Sequence, residues 1–94
     1  MENLKVKKLM PLQRGVSAKG EWKSREVILE EIDERIQYPN QYLVKFTGDR
    51  VNQLDGIKEG DTVSCHWSSK VRVFQTKDGR SMALQENNGW GIKN

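Results

Sequence analysis

The chain has 94 residues, 35% apolar and 31% charged, with a net charge of +3. That is enough for one hydrophobic core and too little for two, and no apolar run approaches the length of a membrane span. The single cysteine, Cys65, excludes an internal disulfide and a cysteine pair for metal binding. The opening residues Met1–Val6 carry no apolar export signal, so a cytoplasmic setting is expected.

In chain order, Leu4, Val6, Met10 and Leu12 alternate with lysines as a strand does, bent or ended near Pro11. Arg14–Gly20 is punctuated by glycine and reads as a hairpin loop. Glu21–Glu30 reads as a second strand with Val27 and Leu29 inward. The spacing of Ile28, Ile32 and Ile36 also suits an amphipathic helix with Ser24 as its cap; the Trp, Val and Ile cluster favours the strand. The acidic run Glu30–Arg35 is then a loop or ragged strand end, and Tyr38-Pro39-Asn40 a turn. Tyr42–Thr47 reads as a third strand with Tyr42, Val44 and Phe46 on one face.

Val51, Leu54 and Ile57 recur at helical spacing, giving a short helix over Arg50–Leu54, and Lys58–Asp61 is a tight turn. Thr62–Thr76 follows as a long β segment with Val63, Cys65 and Trp67 inward and a bend at Ser68-Ser69. Asp78-Gly79 signals a two-residue hairpin. Ser81–Glu86 is the fifth strand, and Asn87-Asn88-Gly89 turns again before Trp90 and Ile92. The expected fold is all-β with one short helix: a single domain over residues 1–94, a five-stranded OB-fold barrel in the order β-β-β-α-β-β.

Charge is unevenly distributed. Residues 1–25 sum to +5, residues 26–36 to −4, residues 37–61 to −1 and residues 62–94 to +3. If folding brings the two basic ends together, they form a stripe suited to phosphates; read alone, they are ordinary solubilising charge.

Several segments carry a resemblance: Glu21-Trp22-Lys23, Glu26–Glu30, Phe46-Thr47-Gly48-Asp49, Gly60-Asp61-Thr62-Val63, Asp78-Gly79-Arg80 and a closing Trp90. In order and spacing they resemble a family of short bacterial proteins catalogued as a domain of unknown function, over roughly residues 4 to 92. That family is similar to single-stranded DNA-binding and primosomal replication proteins. The resemblance implies the OB barrel and, less directly, binding of an unpaired strand.

Catalysis has little material. Cys65 and His66 are adjacent and, on a strand, point to opposite faces, so they cannot act as nucleophile and base. No second histidine exists for a zinc site, and neither cofactor nor metal is expected. Strand binding needs cations for the backbone and aromatic platforms for the bases. The candidates are Trp22, Lys23, Arg25, Lys45, Lys70, Arg72, Phe74, Lys77 and Arg80, with Trp22 and Phe74 stacking. Trp67 reads as core, and Trp90 as a cover for one barrel end. The expected activity is non-catalytic binding of single-stranded DNA, with RNA open, in a homodimer that meets replication or repair proteins. The rival from another class is a protein-interaction or dimerisation module with no nucleic-acid ligand, which the acidic Glu26–Glu34 stretch favours.

Overall fold

The structure is a computed structural model that describes residues 1–94. It contains six strands and one 3-10 helix: β1 Leu4–Leu9, β2 Gln13–Ser17, β3 Gly20–Glu31, β4 Gln41–Thr47, the helix Gly48–Leu54, β5 Thr62–Gln75 and β6 Ser81–Lys93. The sheet runs β1-β5-β6-β4-β3-β2, and a further β1–β3 pairing closes it into a ring. Closure removes most exposed edges from the barrel wall.

The strand count is six rather than five because Pro11 has no backbone N–H to give to the ladder. The last bond of the first segment is Met10 N–H to the Glu26 carbonyl, 2.9 Å. The chain then rejoins β3, pairing Gln13 with Ser24. β1 lies along Val27–Glu31 and β2 along Gly20–Ser24, so both occupy one edge of β3. The expected loop over Arg14–Gly20 therefore shrinks to a turn at Ala18-Lys19. Gly15 is a strand glycine, and Gly20 leaves the turn at φ +112°, a conformation open to glycine.

The segment from Trp22 to Glu30 is a strand, as its β-branched cluster indicates. Ladders on both sides, to β1 and β4, hold β3 extended against its helical periodicity. Val27 and Leu29 are buried with Val44 and Phe46. Ile32 and Ile36 fall on the exposed connection beyond the strand.

Twelve buried residues form one core cluster: Leu4, Val6, Val27, Leu29, Val44, Phe46, Val51, Leu54, Ile57, Val63, Cys65 and Ile92. The 3-10 helix contributes Val51 and Leu54, with Ile57 following it. Gln53 ties that helix to β6 twice, donating to the Trp90 carbonyl at 3.2 Å and accepting from the Ile92 N–H at 3.1 Å. Its side-chain amide thus satisfies backbone groups where the β4 ladder stops.

Two expected interruptions are absent. β5 runs through Ser68-Ser69 without a bend, and β6 runs through Asn87-Asn88-Gly89 without a turn. The second segment closes the ring. Asn88 pairs in parallel with Lys45, and the Asn87 amide donates to the Leu43 carbonyl at 3.2 Å. Gly89 serves close packing: a Cβ there would lie 2.5 Å from Phe46 Cζ. The residue type that sequence reading assigns to a turn is there because a buried ring leaves no room for a side chain.

The expected two-residue hairpin is longer. Thr76 and Arg80 form its innermost backbone pair at 2.9 Å, and Gly79 N–H reaches the Thr76 carbonyl at 3.0 Å with φ +84°. That leaves Lys77-Asp78-Gly79 as a three-residue connection with glycine at its left-handed position. Side-chain burial ends at Trp67 on β5 and resumes at Glu86 on β6. Between them the two strands form an exposed arm, consistent with extents of 44 × 32 × 19 Å.

Candidate nucleic-acid interface

Strand register decides which side chains share a side. Glu26 pairs with Lys45 on β4, and Lys45 with Asn88 on β6. Asn88 pairs with Ser68 on β5. Because Val44 and Phe46 point into the core, this row faces outward. Steps of two residues along each strand stay on that side. Trp22 therefore lies on the outer side at one end, Lys45 in the middle, and Lys70, Arg72 and Phe74 along the arm at the other end. Taking about 3.3 Å per residue, the ten-residue register separation between Trp22 and Phe74 corresponds to roughly 33 Å of surface.

Trp22 is 47% exposed and covers the backbone of Gly15, its cross-strand partner. A Cβ on Gly15 would lie 2.4 Å from Trp22 Cζ2. The indole thus has a firm support beneath it and open surface above. Phe74 is exposed beside Met82 and Leu84. Arg72 bonds Glu86 at 3.2 Å. Both partners of that pair are well exposed, so it contributes at most about 1 kcal/mol and yields readily to a stronger anion.

Four of the nine candidates lie elsewhere. Lys23 and Arg25 are on the opposite side of β3 from Trp22: Lys23 Nζ donates to Asn52 Oδ1 at 3.1 Å, and Arg25 Nε donates to the Met10 carbonyl at 2.8 Å. Arg25 pairs with buried Phe46 and helps bridge the Pro11 break. Lys77 and Arg80 sit in the connection at the arm tip. There Arg80 pairs with Asp78 at 3.3 Å. The Thr76 hydroxyl bonds the Asp78 carboxylate and, with weaker support from nearby backbone N–H groups, holds it below the usual carboxylate range. A shallow cleft of about 450 Å³ lies between Arg14, Trp22, Lys23 and Asp49 at the end of the β2–β3 hairpin.

The outer side also holds cations that sequence reasoning missed. Lys5 pairs with Glu30 and Lys8 with Ile28, extending the face onto β1. Their alternation with Leu4 and Val6 was the available signal. The missing information was that β1 lies beside β3.

The remaining aromatics are divided. Trp67 is half-buried against Tyr42, with centroids 5.2 Å apart. The Tyr42 hydroxyl donates to Glu31 at 2.6 Å, which raises its pKa above the ordinary phenol value. Trp90 lies on β6. It is 51% exposed and stacks on His66, with centroids 4.9 Å apart. It occupies the extra position of a bulge where His66 pairs with Gly91 and Trp67 with Gly89. Cys65 is buried, and burial pushes its thiol up to about 11, the setting of an unreactive structural cysteine.

Fold and surface together define a small closed β module whose outer side carries aromatic and cationic side chains together with the acids Glu26, Glu30 and Glu86. No helix is long and apolar enough to cross a membrane. Residues 3–93 match the family described as a domain of unknown function, DUF3127, and the chain belongs to that family. No curated protein is significantly similar to it.

Proposed function

We propose that the protein is an OB-type barrel that binds single-stranded nucleic acid along its outer β3–β4–β6 face and the charged side of the arm. The OB reading counts β1 and β2 as one strand broken at Pro11. The ring then has five members, the helix falls between the third and fourth, and the third and fifth run parallel. That order and the parallel β4–β6 pairing support it.

The observation that carries the binding reading is the common outward side of Trp22, Lys45, Lys70, Arg72 and Phe74. Aromatic platforms spaced among backbone-neutralising cations are what unpaired strands require. Because the cations would meet phosphates rather than base edges, sequence preference is weak and salt dependence strong. DNA is the first choice of ligand and RNA the comparison. Work at the replication or repair apparatus, in the cytoplasm, belongs to the same reading.

The test is a fluorescence-anisotropy titration with labelled single-stranded DNA and RNA at low and moderate salt. Binding at micromolar protein that weakens steeply with salt, and weakens again in Trp22→Ala, supports the proposal. Absence of binding at low salt to either polymer overturns it.

A further inference from the structure

The arm has two unlike sides. Cross-strand pairs point to the same side, so Ser69, Val71, Val73 and Gln75 share one with Asn87, Gln85, Ala83 and Ser81. None of these eight residues is charged. The other side carries Lys70, Arg72, Phe74, Met82, Leu84 and Glu86. Seven of the eight are exposed, while Asn87 is half-buried with its amide on the Leu43 carbonyl. At the chain's overall charged fraction of 31%, seven exposed positions would hold about two charges. The uncharged side nonetheless exposes Val71 at 65% and Val73 at 68%. An isolated two-stranded ribbon is marginally stable in water and gains most when one side is covered.

We propose that the uncharged side of the arm is a self-association surface, on which the arms of two copies of this chain stack across a twofold axis. Charge selects this occupant. In an isologous contact each side chain meets the same patch of the other copy. A side without lysine or glutamate then meets no like charge, although each copy carries +3 overall. Depletion of charge at the centre is the compositional mark of such surfaces. Stacking on this side leaves Lys70, Arg72 and Phe74 free on the other, so the inference stands independently of nucleic-acid binding.

Size sets the strength. Seven residue pairs at about 3.3 Å each, on two strands about 4.8 Å apart, give a ribbon roughly 20 Å by 10 Å. Its side is a few hundred Å², below the roughly 800 Å² per partner of a standard stable interface. The dimer is therefore weak and forms with rising concentration.

Sedimentation equilibrium of the nucleic-acid-free protein, from low micromolar to sub-millimolar concentration, tests this. The expected result is a mass that rises from monomer towards dimer and persists in high salt, because no ion pair holds the contact. Val73→Glu should remain monomeric throughout, and the isosteric Val71→Thr/Val73→Thr double variant should associate several-fold more weakly. Leu84→Glu, on the other side of the ribbon, should associate as the parent does. The thermal transition of each variant, measured at a concentration where the parent is monomeric, reports folding, and Val71→Thr/Val73→Thr keeps the side-chain shape. A parent that stays monomeric at every concentration overturns the proposal. So does a dimer that dissolves in salt, or one lost in Leu84→Glu but retained in Val73→Glu.

Discussion

The barrel and the arm are made from the same two strands, yet different physics governs each. From Val63 to Trp67, β5 alternates inward side chains against a common core; from Ser68 to Gln75 every residue is exposed. The change comes from neighbours. Within the barrel β6 is flanked by β4 as well as β5, and β5 is paired with β1 at Thr62–Val63. Beyond it the two strands have only each other. The same two antiparallel strands therefore form a barrel wall in one stretch and a projecting ribbon in the next, and substitutions in the two should separate cleanly.

The largest separation is expected at Phe46. Phe46→Ala removes a fully buried ring and should cost about 3–5 kcal/mol in denaturant unfolding, whereas Phe74→Ala on the arm should change unfolding by less than about 0.5 kcal/mol. Equal effects would show that the arm is packed in solution. Next is the pair of strand glycines. Gly89→Ala drives a methyl group into Phe46 and should cost about 1–3 kcal/mol. Gly15→Ala meets the Trp22 indole, which can swing outward, so its main consequence is weaker oligonucleotide binding rather than unfolding.

Binding variants should sort by side. Trp22→Ala should weaken single-strand affinity by about 1–3 kcal/mol at fixed salt. Lys45→Gln should lower the slope of log K against log salt by about one phosphate contact. Arg25→Gln should leave that slope unchanged, since its guanidinium bonds the Met10 carbonyl. Isothermal titrations at several salt concentrations distinguish the three.

The smallest effect expected is a pH dependence confined to the barrel. The folded Cys65 thiol is raised by burial from 9.0 to about 11, so the unfolded chain releases its proton first. Its contribution is complete below pH 9 and is lost as pH rises towards 11. Denaturant midpoints should fall across that window, and Cys65→Ala should make the decline shallower.

Much of the barrel was legible in the sequence. The alternation of Val27 with Leu29, of Val44 with Phe46 and of Val63 with Cys65 identifies each inward face, because a strand's period of two is a local property. The helix at Val51 and Leu54 was visible for the same reason. Asn87-Asn88-Gly89 misled because glycine has two uses, turning and close approach, and only the position of Phe46 distinguishes them. Pro11 was visible as a break, but the return of Gln13–Ser17 to the same edge of β3 was not.

The candidate face was legible as residue types and illegible as a surface. Trp22, Lys45, Arg72 and Phe74 could be named from the chain alone. Their shared outward side, and the departure of Lys23 and Arg25 to the other, required the register of four strands distant in sequence. The amino-acid sequence by itself determined the inward faces at Val27 and Leu29, Val44 and Phe46, and Val63 and Cys65, and the absence of charge from Ser69, Val71, Val73 and Gln75, since each depends on neighbours a few residues away. Only the tertiary structure decided how the ring closes and where the arm leaves it. Those features depend on hydrogen bonds such as Asn87 to Leu43, between residues whose proximity no local pattern encodes.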